Sequence, residues 1–236
     1  MFFNFLLFIF LFIKIIKYIN AQYEDEYTIN ARAGIINKLF DGDIDLRPEE
    51  YLQLKRSKFF SDPAARKTAL FTNWVTDEKY LWPSKPSTTA GVRYGPYCKK
   101  FFYSSVVWLK NILDAHKNIE ENTCIRFANS SEGDHIHYYW GYGCHSLVGR
   151  NGGKQWLSLG PGCWTVNAVH ETLHALGSNH EQSRQDRDSF IKINEKNMID
   201  NISDAFAIIE GSPTGNPYDF GSTMHYNNMA FSKNKK

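Results

Sequence analysis

Three histidines and a glycine set tight terms for any fold this sequence adopts. The run His170-Glu171-Thr172-Leu173-His174 is followed by Gly177 and then by His180. On an α-helix, residues four apart differ by about 40° around the axis, so His170 and His174 project from one face and can share a metal ion. Val166, Val169, Leu173 and Leu176 give such a helix an apolar side to bury, and Thr165 or Asn167 supplies a cap for its start. Gly177 ends it, because glycine tolerates the left-handed conformation that turns the chain sharply. His180 then returns from outside the helix as a third nitrogen ligand. Three histidines leave one tetrahedral position of a zinc ion open to water, which separates a catalytic centre from a structural one and makes a purely structural zinc protein the weaker rival. Glu171 sits beside the ligands without being forced to ligate and suits the role of general base in amide hydrolysis. From 8 His, 16 Gly and the Glu content of the chain, the full pattern arises by accident in roughly three of 100,000 such sequences. Accident is therefore not a competitive explanation.

The flanking sequence bounds where this chemistry operates. Residues 2–13 are apolar except for Asn4, and Lys14, Lys17 and a small Ala21 follow. This is the pattern of a secretory signal cleaved near Ala21, too short to cross a bilayer, so a secreted chain without membrane association is expected. Residues 22–67 are rich in charge, with apolar residues too scattered to form a domain, and end at the dibasic pair Arg66-Lys67. They read as a pro-segment removed by cleavage, which leaves residues 68–236 as one folded domain of roughly 170 residues. With 27 Lys and Arg against 25 Asp and Glu, there is no electrostatic case for a nucleic-acid partner. A content of 42 % apolar and 22 % charged residues argues against a disordered chain and a multi-span membrane protein.

Four cysteines, Cys98, Cys124, Cys144 and Cys163, behind a secretory signal imply disulfides, with three connectivities open. Asn129-Ser130-Ser131 and Asn201-Ile202-Ser203 are candidate glycosylation sites. His135 and His137 lie two apart in a strand-like run and share one side, so a second metal is conceivable, but a half-exposed strand face is the simpler use. The same holds for His116 and His145. Phe102, Val106, Leu109 and Leu113 have helical spacing and are expected to pack on a sheet. Residues 154–159 alternate as an edge strand does, and residues 91–98 look irregular.

Forty-four residues beyond His180 lies Met224, within Ser222-Thr223-Met224-His225-Tyr226. An extended histidine motif with a later methionine turn is the metzincin signature. The chain resembles one branch of that clan, the astacin metalloendopeptidases, through Glu181 directly after the third histidine, the run 182–188, and Met224-His225-Tyr226. The resemblance implies an α+β, two-lobed catalytic domain. Its N-terminal lobe, up to about Gly177, holds a twisted mixed sheet and helices, and its C-terminal lobe is mostly irregular. It implies one zinc per chain on His170, His174 and His180, Glu171 as general base, Tyr226 as the phenol that stabilises the oxyanion, and Met224 as a support beneath the site. Asp43, in Phe40-Asp41-Gly42-Asp43, matches the aspartate that silences the zymogen at the zinc. Glu181 matches the partner of the new N-terminus, near Thr68 or Ala69. Protein or peptide substrates are expected to bind extended in the cleft, paired to the strand that matches residues 154–159, and the protein is expected to be a monomer. The resemblance pairs Cys144 with Cys163. It also implies that the end of the C-terminal lobe is missing, since the chain stops ten residues after Tyr226, leaving Cys124 to pair with Cys98 or stay free. A catalytically weak or inactive zinc-binding homologue or fragment is the alternative.

Overall fold

A computed structural model describes residues 25–36, 39–47, 82, 90–94, 102–129, 132–199, 203–209 and 216–234. The signal segment, the dibasic pair, Thr68, Ala69, Cys98 and Asn201 lie outside the described residues. The elements in chain order are helix α1 (Glu26–Arg32), strand β1 (Ala90–Tyr94), helix α2 (Phe102–Asn122), β2 (Phe127–Asn129), β3 (His135–Tyr139), β4 (Cys144–Ser146), β5 (Lys154–Leu159) and helix α3 (Thr165–Ala175). Short 3-10 turns follow, at Glu181–Ser183, Arg187–Ser189, Glu195–Asn197 and Ser203–Phe206. The architecture is α+β.

The five strands form one mixed sheet in the order β2-β1-β3-β5-β4, parallel throughout except where β4 runs antiparallel to β5. Tyr138, Ile136, Leu157 and Leu159 from the sheet meet Trp108, Ile112, Ala115 and Ile119 of α2 and Ala168, Val169 and Ala175 of α3 in the main core. A second, smaller cluster around Ala205 and Phe231 takes in Tyr27, Ile36, Phe206 and Tyr226. The two clusters correspond to the two lobes. Helix α1 joins them, since Ile29 belongs to the first and Tyr27 packs 4.1 Å from the Phe231 ring.

Several expectations need correction. Residues 154–159 are internal, not an edge, because the antiparallel return through Gly149, Gly152 and Gly153 adds β4 outside them. The buried face of α2 runs Trp108, Ile112, Ala115, Ile119, whereas Val106 and Leu113 are exposed. Helical spacing is present in both phases, and Trp108 decides between them by donating its Nε1–H to the Leu159 carbonyl, 2.9 Å away. Within the run 91–98, residues to 94 belong to strand β1. The cap of α3 is Trp164, with Asn167 inside the first turn accepting the Trp164 backbone N–H at 2.7 Å; neither Thr165 nor Asn167 is the cap. His135, His137 and His116 are buried, not half-exposed. His116 meets the Tyr138 hydroxyl at 3.0 Å. Residues of the segment before the dibasic pair also reach the interior: Ile29, Asn30, Phe40, Asp43 and Ile44 are all buried. Cys144 and Cys163 form a disulfide that ties β4 to the turn before α3. Cys124 is exposed and free.

Candidate active site

Helix α3 presents His170 and His174 on one face, as four-residue spacing requires, and both are fully buried. Gly177, at φ +108°, breaks the helix where an L side chain is strained, and the chain turns back to His180. The three rings stand with centroids 4.6 to 5.2 Å apart. Their Nε2 atoms converge: those of His170 and His180 are 3.2 Å apart. Asp43, from the segment ahead of the dibasic pair, closes the cluster with Oδ2 3.2 Å from His170 Nε2 and 3.1 Å from His180 Nε2, and Oδ1 3.5 Å from His174 Nε2.

The outward nitrogens determine what this cluster can hold. His170 Nδ1 reaches the Thr223 carbonyl at 2.8 Å, His174 Nδ1 the Ser178 carbonyl at 2.7 Å, and His180 Nδ1 Asp41 Oδ2 at 2.7 Å. Each acceptor takes an N–H, which fixes the tautomer and aims an Nε2 lone pair inward. Three inward lone pairs and a buried carboxylate, all within 4.8 Å of one another, make a donor set that a cation satisfies. Among the described residues, His174 Nε2 and Asp43 Oδ1 have no hydrogen-bond partner, which leaves both available to a metal ion. The residues fit zinc, which favours nitrogen ligands with tetrahedral geometry.

The electrostatics agree. Burial lowers the His174 imidazole to about 4, so it is neutral. Burial also opposes charge on His180, but the Asp43 and Asp41 carboxylates outweigh it and raise that ring to about 10, so without a metal its Nε2 holds a proton that a bound cation would displace. The same negative field that draws a proton attracts a metal cation. Asp43 stays well below the usual carboxylate range because His180 and three histidine contacts overcome its burial.

Glu171 is completely buried next to His170, and among the described residues both its carboxylate oxygens lack hydrogen-bond partners. Burial first, and then the neighbouring Asp43 and Glu26 carboxylates, push it well above its ordinary range. Tyr226 lies over His180 at 4.7 Å between ring centroids, and its hydroxyl donates to the Asp41 carbonyl. Burial and the Asp41 and Asp43 charges raise its phenol further. Met224 is buried in a turn closed by His225 N–H on the Ser222 carbonyl, 3.1 Å away, and its own carbonyl accepts the Glu181 N–H at 2.8 Å. The carboxylate of Glu181 takes Arg184 Nη1 at 2.8 Å and the Asp219 N–H at 2.9 Å. Asn129 is exposed on β2.

The segment that carries Asp43 is held against the body by its own loop and by β4. Phe40 and Ile44 exchange two backbone hydrogen bonds of 2.9 Å, closing a tight loop over Asp41 and Gly42, both with positive φ. A β-carbon on Gly42 would stand 3.1 Å from the Tyr226 hydroxyl and 3.2 Å from Phe231 Cζ. Beyond the loop, the Asp43 carbonyl accepts from Ser146 N at 3.1 Å and Asp45 N donates to the Ser146 carbonyl at 2.8 Å, so residues 43–45 lie parallel along β4. The strand edge that receives an extended chain is thus β4, not β5.

Sequence reasoning missed several contributors. Asn30 caps the other end of the same edge: its amide donates to the Cys144 and Gly42 carbonyls at 2.7 and 3.0 Å and accepts the Cys144 N–H at 2.8 Å. Asp41 orients His180, and Glu26 accepts from Asn167 beside Glu171. Asp41 carried a faint signal, being next to Gly42 and Asp43. Asn30 and Glu26 carried none, because the partners that place them, Cys144 and Asn167, lie more than 100 residues away in sequence.

Known proteins share these features. The family model described as Astacin, a peptidase family, matches residues 99–236. Zinc metalloproteinase nas-36 of Caenorhabditis elegans is 35 % identical over 222 residues, which is 89 % of this chain and 34 % of that protein. Zinc metalloproteinase nas-13 of the same organism is 45 % identical over 147 residues, 60 % of this chain and 32 % of the relative. Among solved structures, High choriolytic enzyme 1, a hatching enzyme zinc-protease from Oryzias latipes (medaka fish), shares 34 % identity with a TM-score of 0.59, covering 66 % of this chain and 78 % of that one. The chain spans about a third of the length of the curated relatives it matches.

Proposed function

Because the chain belongs to the astacin family of peptidases, we propose that it is a secreted zinc endopeptidase made in latent form, which hydrolyses internal bonds of extended protein or peptide substrates. The observation that carries this reading is the pairing of three inward Nε2 atoms with a buried, unpartnered Glu171 carboxylate beside them. Zinc bound by His170, His174 and His180 supplies Lewis acidity at the scissile carbonyl and at the attacking water.

The chain's own residues do the rest. Glu171 takes the water's proton on a carboxylate oxygen and delivers it to the leaving amine. The Tyr226 phenol donates to the oxygen on which negative charge develops, once it is released from the Asp41 carbonyl. Ser146 N–H and C=O hold the substrate backbone by strand addition, the same groups that residues 43 and 45 occupy now. In the latent chain Asp43 fills the place the attacking water needs, while the segment blocks the edge strand. Cleavage after Arg66-Lys67 removes both obstacles, and the new N-terminus near Thr68 or Ala69 docks on Glu181. Among the described residues no helix is long and apolar enough to cross a membrane. The active form is a monomer.

The test is cleavage of a generic protein substrate by the chain before and after processing at the dibasic pair, with and without a zinc chelator, and beside Glu171→Gln. Chelator-sensitive cleavage that appears on processing and vanishes in the variant is the expected result. One bound zinc with no turnover in the processed chain would overturn the enzymatic reading in favour of a binding-only homologue.

A further inference from the structure

The segment that blocks the cleft also maps it. Residues 43–45 run parallel to β4 through the Ile44–Ser146 bridge, and Arg47 lies two residues beyond them. Asp43 meets the histidines, Asp45 Oδ2 meets His145 Nδ1 at 2.8 Å, and Arg47 enters the loop that follows β4. There its Nη2 donates to the Val148 carbonyl at 2.5 Å and its Nε to Asn151 Oδ1 at 2.9 Å. Arg47 is only 4 % exposed. A guanidinium removed from water to that degree is tolerated only where its donors are met.

This pocket belongs to the catalytic body rather than to the segment. Gly149 N–H donates to the His174 carbonyl at 2.8 Å, which ties the loop to the metal-site helix. Gln155 on β5, itself buried, accepts the Asn151 N–H at 2.9 Å and donates to the Gly149 carbonyl at 3.2 Å. Neither tie involves Arg47, so the loop backbone, with the Val148 carbonyl and the stem of Asn151, is held by the body itself. A guanidinium has only donors, so while Arg47 is bound the Asn151 amide turns its oxygen toward the pocket. Two acceptors spaced for Nε and Nη2 match the planar fork of arginine better than the single ammonium of lysine.

We infer that the Val148 carbonyl and the Asn151 side chain form a cleft subsite for an arginine side chain of the substrate, a subsite that Arg47 fills in the latent chain. The inference rests on the peptidase reading above. It is independent of substrate direction, since the pocket is fixed relative to the metal site whichever way the chain runs.

The experiment uses the full chain activated at Arg66-Lys67 with trypsin, then freed of trypsin and of the released segment. Cleavage sites are mapped in a complex peptide mixture. Arginine is expected to be enriched over leucine at one fixed position from the scissile bond by about tenfold, the size of a charge-assisted hydrogen bond. Asn151→Leu, an exposed position whose replacement leaves the core untouched, should abolish that enrichment and leave preferences elsewhere unchanged. Cleavage with no arginine enrichment, or enrichment indifferent to Asn151→Leu, overturns the subsite while leaving the peptidase reading intact. If no cleavage occurs, that reading fails and the subsite is decided by calorimetry on the zinc-loaded activated chain. A peptide of residues 40–47 should then bind about tenfold tighter than its citrulline-47 analogue, and equal affinities overturn the proposal.

Discussion

Replacing Asn30 with leucine should loosen the whole blocking segment, although Asn30 touches none of the histidines. Its side-chain amide acts as a surrogate peptide group at the edge of β4, bonding both polar groups of Cys144 and the Gly42 carbonyl at 2.7 to 3.0 Å. Asn30 is fully buried, and the approach is so close that a β-carbon on Gly143 would fall 2.0 Å from its Oδ1. Leucine has the same branched skeleton, with bulkier methyl ends, but offers no hydrogen bonds, leaving one N–H and two carbonyls unsatisfied. At about 1–3 kcal/mol for each buried unsatisfied group, with some relief from relaxation, the loss is about 3 kcal/mol. For a chain of this size that lowers the melting temperature by about 6–12 °C. Asn30→Asp should be at least as harmful, because it sets a carboxylate against two carbonyl oxygens. The assay is a thermal melt of the full chain, with the rate of limited proteolysis within residues 25–47 as a second readout. A melt within about 1 °C of the parent and unchanged proteolysis would show that the amide does not hold the segment.

Three other outcomes follow from the site and core. Removing metal from the full chain with a chelator should lower its melting temperature, because a cation bound only by the folded form stabilises it, and His174→Ala, which also gives up the Ser178 hydrogen bond, should melt below the parent with little further response to the chelator; a parent indifferent to chelation would contradict the ligand assignment. Between pH 6.5 and about 4 the chain should lose up to about 3 kcal/mol of stability through His116, whose burial lowers its imidazole to about 4. The folded form resists the proton that the unfolded chain accepts below pH 6.5, so stability is full above that value and declines as pH falls; His116→Phe should flatten this part of the profile, and an unchanged slope would refute it. In the activated chain, Tyr226→Phe should lower kcat by about 10²-fold with little change in KM, the signature of a lost oxyanion donor. A change confined to KM would assign the phenol to substrate binding instead.

How much of this was legible in the sequence depends on the distance over which each feature is determined. The metal-site helix, its glycine stop and the return of His180 were readable because helical periodicity and glycine's left-handed freedom act within a few residues. The methionine turn was readable for the same reason. The packing phase of α2 was not: Val106 and Leu113 fit a helical stripe as well as Ile112 and Ile119 do, and only the sheet chose between them. Edge and interior strands were likewise confused, since the alternation in Lys154–Leu159 looks the same whether or not β4 adds outside it.

The sequence by itself determined a helix with His170 and His174 on one face, a third histidine returning past Gly177, an adjacent carboxylate, a charged segment bearing Asp43 ahead of a dibasic pair, and an α+β body large enough to hold them. The family resemblance already pointed Asp43 at those histidines; only the tertiary structure decided that its segment runs along β4, and that Asn30, Asp41 and Arg47 fasten the segment across it. Those contacts join residues roughly 100 or more positions apart. Such pairings are selected by which buried polar groups find partners once the core has formed, and no local pattern encodes that choice.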